Sequence, residues 1–154
     1  MKDHSFRLEQ ASEQDFQRLF ELRLLTMRES LERIGRFHER RAFERFRKSF
    51  RAEYTRLIVL SDGSLGGCVA LGPSDDGLLL EHFYISPALQ SVGLGTQILQ
   101  TLLAEADELG LVIRLSVLKH SDAGRFYSRN GFTNTGADEW DVYYERSPQK
   151  KRHL

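Results

Sequence analysis

Hydrophobic and polar positions change period along the chain, and each change marks an element. Ser5 to Glu9 alternates, with Phe6 and Leu8 on one face, and predicts a strand. Ser12 stands three residues before Asp15, a weakened capping-box pattern. Phe16, Leu19, Phe20, Leu24, Met27 and Leu31 then recur at helical spacing. Gly35 interrupts, and a second helix follows with Phe43, Phe46 and Phe50 on one stripe, expected to lie in the core. In the middle, Leu57 to Leu60, Leu65 to Leu71 and Leu78 to Ser86 read as three strands. The turn signals Ser61-Asp62-Gly63-Ser64 and Pro73-Ser74-Asp75-Asp76-Gly77 join them into an antiparallel meander that Pro87 ends.

The back half alternates between periods. A helix from about Gly95 to Leu109 turns Ile98, Leu99, Leu102, Leu103 and Ala106 inward, and Gly110 suits its C-terminal stop. Leu111 to Leu118 has little polarity, as a central strand covered on both faces requires. A short helix from about Asp122 to Arg129 stops at Asn130-Gly131, and Trp140 to Arg146 closes the chain as a strand, with room for one more near Phe132. The expected fold class is α/β, a single mixed sheet flanked by helices in the order β-α-α-β-β-β-α-β-α-β. One domain is expected over residues 1–148, with a basic tail over 149–154.

Composition narrows the function classes. In 154 residues, 22 Lys and Arg balance 22 Asp and Glu, so no net positive field argues for nucleic acid. From Arg28 to Arg56, ten basic residues face five acidic ones, which reads as a solvated helical face with internal ion pairs. Cys68 is the only cysteine, which excludes an intramolecular disulfide and a cysteine-based zinc site. The polar opening Met1-Lys2-Asp3-His4-Ser5 has no apolar run behind it, and no stretch nears the ~20 apolar residues of a membrane helix. A cytoplasmic protein without a membrane partner is expected.

The chemistry concentrates in Ile85-Ser86-Pro87-Ala88-Leu89-Gln90-Ser91-Val92-Gly93-Leu94-Gly95-Thr96, where a strand ends and two glycines open a helix. Unpaired N–H groups at a helix start attract a phosphate, and glycines let it approach the backbone. A P-loop would need Gly-Lys-Ser/Thr, and this turn holds no lysine. A dinucleotide fingerprint would need a third small residue where Ile98 stands, and an acid where the next strand ends at Lys119.

What remains is Gln-x-x-Gly-x-Gly after a strand. With it, the chain resembles the GNAT family of N-acetyltransferases, whose acetyl-CoA pyrophosphate loop reads Gln/Arg-x-x-Gly-x-Gly/Ala. Leu115-Ser116-Val117-Leu118 followed by Ala123-Gly124-Arg125-Phe126-Tyr127-Ser128-Arg129-Asn130-Gly131-Phe132 resembles the family's second hallmark, a strand and a short helix of pattern Ala-x-x-Leu/Phe-Tyr-x-x-x-Gly-Phe. The two motifs and their connecting helix cover roughly residues 78–146, and the first half matches in element order alone.

The resemblance implies acetyl-CoA as cosubstrate, no metal, and direct transfer of the acetyl group to a primary amine. Backbone groups of Phe83, Tyr84 and Ile85 would pair with the pantetheine arm. The N–H groups of Gln90, Ser91, Val92, Gly93, Leu94, Gly95 and Thr96 would hold the pyrophosphate, and Tyr127 would protonate the departing thiolate. Ser121 stands where the family places Asn against the pantetheine, and the loop lacks the family's basic residue, leaving Arg125 or Lys119 to supply charge. Glu81 is the expected base that takes the proton from the amine, with His82 as its alternative on the opposite strand face. In this family the front helices shape the acceptor pocket, which makes Arg28, Glu29, Glu32, Arg33 and His82 candidate acceptor contacts. A small molecule or a peptide fits as the amine; polyamine, amino acid, aminoglycoside-like antibiotic and protein amine all stay open. The same fold with a longer acyl-CoA is an enzymatic rival. A non-catalytic acyl-CoA sensor that keeps the loop without turnover is the alternative from another class. The resemblance also implies a homodimer, with the strand around Trp140 to Tyr144 as the pairing edge.

Overall fold

The alternating opening segment forms β1 (Phe6–Gln10), and the two stretches of helical period form α1 (Phe16–Arg33) and α2 (Glu39–Ser49). The meander is β2 (Thr55–Leu60), β3 (Leu65–Ser74) and β4 (Gly77–Ile85). The back half is α3 (Leu94–Leu109), β5 (Ile113–Leu118), α4 (Ala123–Arg129), β6 (Thr133–Ala137) and β7 (Asp141–Arg146). The computed structural model describes residues 5–33, 38–90 and 92–150, without the side chains of residues 28–31 and 33. The strands form one mixed seven-stranded sheet in the order β1-β2-β3-β4-β5-β7-β6.

The element order departs from the expected one by one added strand, β6, in the region near Phe132. Every residue of β6 is exposed, so no burial pattern marks it in the sequence. It pairs antiparallel with β7, which pairs on its other side with β5. This corrects the expectation for Trp140 to Tyr144: β7 is paired on both sides, so its backbone is not an open pairing edge, and β6 is the edge strand.

The chain divides into two compact units, residues 1–70 with 82–94 and residues 71–81 with 95–154. In the first, β1 and β2 pair antiparallel from Phe6 opposite Leu60 to Gln10 opposite Arg56, and β2 pairs with β3. Asp15 accepts the Ser12 N–H at 2.8 Å, the reciprocal half of a capping box, in a short 3-10 turn that leads into α1. The core of this unit gathers Phe16, Leu19, Phe20, Phe46 and Phe50 of the helical stripes against Leu57, Val59 and Cys68 of the sheet. Phe46 is fully buried, and a side chain of its kind stabilises by about 1.5–3 kcal/mol. Phe43 departs from the stripe: it is 38% exposed, although its ring still meets Phe16 and Phe20 edge-on.

In the second unit, β4 runs parallel to β5, with Leu78 opposite Ile113 and Leu79 opposite Arg114. Gly77 allows this start, because a Cβ there would lie 2.5 Å from the Val112 carbonyl. Ile98, Leu99, Leu102 and Ala106 of α3 are fully buried, as their spacing requires. The end of β7 is fixed by an ion pair between a buried arginine and a half-buried aspartate. Arg146, 6% exposed, donates from Nη1 and Nη2 to the two Asp107 oxygens at 2.8 and 3.1 Å, and the Gln149 N–H joins them at 2.9 Å. No described helix is long and apolar enough to cross a membrane.

Candidate functional site

The burial of β4 alternates along its whole length, with Leu78, Leu80, His82 and Tyr84 buried and Leu79, Glu81, Phe83 and Ile85 half-buried. Glu81 and His82 therefore lie on opposite faces of the strand, as alternation requires. The strand is not regular, however: His82 has φ +52°, a left-handed conformation that is uncommon away from glycine and costs of order 1–3 kcal/mol. The Cys68 thiol donates to the His82 carbonyl at 3.2 Å. Burial pushes that thiol up to about 12, so Cys68 is an inert core residue.

Around the His82 ring lies a polar cluster. His82 Nε2 is 3.0 Å from Ser49 Oγ on α2, and Nδ1 is 3.3 Å from the Tyr84 hydroxyl. The Phe46 ring meets the imidazole edge-on at 4.8 Å. Arg23 of α1 donates from Nη1 to the Tyr84 hydroxyl at 2.8 Å, and its guanidinium lies 5.8 Å from the Phe46 ring centre and 6.0 Å from that of Tyr84. Burial holds His82 down at about 4, helped by the positive charges of Arg23 and Arg51, so the ring is neutral at pH 7.

Beyond β4 the chain turns under tight local control. The Ser86 N–H donates to the Gly66 carbonyl at 2.9 Å, Pro87–Leu89 form a 3-10 turn, and the Gln90 side-chain amide reaches back to the Ile85 carbonyl at 3.0 Å. The loop glutamine thus shapes the turn through its side chain, and the Ile85 carbonyl already has an internal partner. Val92 is exposed. Gly93 has φ +83°, with open space where a Cβ would stand, so conformation and not room demands glycine there. Leu94 is buried and anchors the first turn of α3, whose leading N–H groups have no acceptor within the helix. Gly95 and Thr96 are half-buried, and Ser91 lies outside the described residues.

In the second unit, Tyr127 on α4 is 8% exposed, with the Phe126 and Phe132 rings at 5.2 and 5.4 Å, both edge-on. Its carbonyl accepts from the Asn130 and Phe132 N–H groups, and Gly131 at φ +90° turns the chain there. Ser121 donates to the Leu118 carbonyl at 2.7 Å, which ties its hydroxyl proton to the end of β5. Arg125 is exposed and Lys119 half-buried. Of the acceptor candidates, Glu32 is exposed on α1, and the side chains of Arg28, Glu29 and Arg33 lie outside the described residues. Among the described residues no three His, Cys, Asp or Glu side chains gather as a metal site would need.

Sequence reasoning missed Arg23 and Ser49. The signal for Arg23 lies in the helical spacing: it stands three residues after Phe20 and four before Met27, a cation on the apolar stripe of α1.

Comparison with known proteins bears on the motifs. A family model described as an acetyltransferase (GNAT) domain matches residues 25–141. No curated protein matches significantly. Among solved structures, the PaiA N-acetyltransferase of Thermoplasma acidophilum, in complex with coenzyme A, superposes with a TM-score of 0.74 at 19% identity, over 93% of this chain and 99% of that one. A GNAT-family acetyltransferase of Listeria monocytogenes gives 0.64 at 20% identity, over 92% and 94%. N-acetylglutamate synthase of Neisseria gonorrhoeae, with coenzyme A and N-acetyl-glutamate, gives 0.65 at 19%, over 97% of this chain and 36% of that longer one. With the family model covering most of its length and these structures sharing its fold, this chain belongs to the GNAT acetyltransferase family.

Proposed function

We propose that the protein is an N-acetyltransferase that moves the acetyl group of acetyl-CoA directly to a primary amine. The observation that carries this reading is the turn from β4 to α3, where Gln90 folds back on Ile85 and Gly93 adopts φ +83° just before the helix start. A turn of that shape presents successive N–H groups to an anion, which fits the pyrophosphate of the donor. Two of the structural neighbours hold coenzyme A, which supports the same donor.

The Gln90 N–H already donates to the Pro87 carbonyl at 3.3 Å, so in this reading the N–H groups of residues 91–96 hold the pyrophosphate, and Phe83 to Ile85 line the pantetheine arm with the backbone groups left to them. The donor supplies a thioester activated toward nitrogen. An ammonium cannot attack, so its proton leaves first, and in this reading Glu81 accepts that proton, directly or through water. As the C–N bond forms and the C–S bond breaks, the sulfur takes a proton from the Tyr127 hydroxyl, and the second proton shed by the new amide nitrogen restores the phenol. A phenol of pKa ~10 and a thiol of pKa ~8.5 make that exchange without a large mismatch. The single cysteine is in keeping with a reducing, cytoplasmic setting.

Calorimetric titration with acetyl-CoA, against NADH and ATP as controls, tests the donor. Micromolar binding of acetyl-CoA alone is the expected result, and no binding removes the reading. Tyr127→Phe is expected to lower turnover by about 10²–10⁴-fold, the usual worth of a positioned acid, with acetyl-CoA affinity unchanged. Binding without turnover on any amine would instead favour an acyl-CoA sensor.

A further inference from the structure

Arg23 is a cation with no counter-ion among the described residues. Its Nη1 donates to the Tyr84 hydroxyl, whereas its Nε is closed off from solvent and has no hydrogen-bond partner. Nη2 makes no hydrogen bond within the described residues either. Arginine keeps its charge in proteins, so a half-buried guanidinium with a buried and unmet Nε is an unfavourable arrangement for stability alone. Around it, Phe46 and Tyr84 present ring faces, and Arg23 and Arg51 both act on His82 as positive charges. A half-buried cation beside aromatic rings, with a second positive charge nearby, is complementary to an anion that arrives from outside.

We propose that Arg23 binds the carboxylate of the acceptor, so that the amine this enzyme acetylates belongs to a small amino-carboxylate compound. The unmet Nε and its neighbour Nη2, which has no acceptor among the described residues, form one side of the guanidinium fork, the pair of donors that a carboxylate accepts in parallel. The cluster stands on α1, α2 and the end of β4, the strand segment proposed above to line the pantetheine arm. This rests on the acetyl-transfer reading given above, and it narrows the open acceptor classes to amines that carry an acid group.

The test uses the wild-type enzyme and matched acceptors: α-, β- and γ-amino acids against their carboxamides, scored by thiol release from acetyl-CoA. At least one acid is expected to exceed its amide in kcat/KM by about 10- to 100-fold, the worth of a charge-assisted pair. Arg23→Gln should raise KM for that acid by a similar factor and bring the acid-to-amide ratio close to one, with acetyl-CoA affinity unchanged. Arg23→Lys, which keeps the charge but loses the fork, should fall between. In thermal denaturation the same acid should raise Tm of the wild type and not of Arg23→Gln, a readout independent of turnover and of acetyl-CoA. Should Arg23→Gln fail to fold, the wild-type ratio and Arg23→Lys still decide the matter. Amides used as well as acids, no acid either used or bound, or an acid preference that survives in Arg23→Gln each overturn the proposal. Acetyl-CoA binding with one of those results leaves the donor reading standing; loss of acetyl-CoA binding removes the donor reading, and the denaturation experiment then judges Arg23 by itself.

Discussion

Two arginines are drawn into the interior of this protein, and their environments are opposite. Arg146, at the end of β7, meets Asp107 through two hydrogen bonds, and a third donor, the Gln149 N–H, fills out the carboxylate. Arg23, on α1, meets a tyrosine hydroxyl and two ring faces and, among the described residues, no acid. Both lower the pKa of a neighbour, with different consequences. Beside Arg146 the effect keeps Asp107 charged, chiefly through their hydrogen bond. Beside Arg23 it adds to burial in keeping His82 neutral. One arginine completes a structural lock, and the other leaves binding capacity open. A buried charge is diagnostic only when its partners are counted.

The largest expected loss at neutral pH comes from breaking the completed pair. Asp107→Asn leaves Arg146 buried at 6% exposure without its charge partner. The loss is expected to reach about 2–3 kcal/mol in urea unfolding, the worth of hydrogen bonds between charged groups, because Asp107 itself is half-buried. Acetyl-CoA affinity at low temperature should persist, because Asp107 lies at the far end of α3 from the glycine turn. The wild type should lose part of that contribution in acid. Asp107 titrates below its ordinary 3.8 in the folded state, so its contribution is complete above that value and disappears as pH falls through the lower folded one.

His82 adds an earlier acid step. In the unfolded chain it binds a proton below about pH 6.5, whereas in the folded protein the proton is held off until about 4. Between those values the unfolded state carries more protons, so stability falls as pH falls, by about 3 kcal/mol across the window. Stability measured from pH 7 to 4 should show that slope in the wild type. His82→Gln, which can still hydrogen-bond Ser49, should flatten it, and the Asp107 step below pH 4 should be left in place. A slope unchanged in His82→Gln would mean that the cluster already admits a proton near neutrality.

How much of this contrast was visible in the sequence depends on the range of the interactions. The turns at Asp62-Gly63 and Asp75-Asp76-Gly77, the stop at Gly110 and the loop glycine Gly93 were legible because local chemistry dictates them; Gly93 needs glycine for its own φ, whatever surrounds it. The strand β6 was barely legible because Thr133–Ala137 buries nothing and so shows no alternation. Phe43 kept helical spacing yet sits at the margin of the core, which spacing does not reveal. The polar cluster was hidden for a different reason: Ser49 meets His82 and Arg23 meets Tyr84 across 33 and 61 residues of chain. No local pattern announces such partners. The trace that remained was an arginine on the apolar stripe of α1, between Leu22 and Leu24.

The smallest expected effect is the most informative. Arg23→Met removes the unmatched charge and leaves a flexible apolar chain in its place. The Tyr84 hydroxyl loses a donor and the rings lose a cation, a cost of about 1–3 kcal/mol for a hydrogen bond to a charged group. Against that stands relief from holding an uncompensated cation half out of water, which is why hydrophobic replacements of buried charges are often neutral or stabilising. The two nearly cancel, so urea unfolding should place Arg23→Met within about 1 kcal/mol of the wild type, in contrast to the large loss in Asp107→Asn. Removal of the Arg23 charge should also let the His82 pKa rise, visible by NMR as an imidazole that titrates closer to its ordinary 6.5. A stability loss as large as that of Asp107→Asn would place Arg23 in the same structural class as Arg146 and erase the contrast between them. A near-neutral variant that has lost its acceptor would show that the charge serves binding, since the fold gains nothing from keeping it.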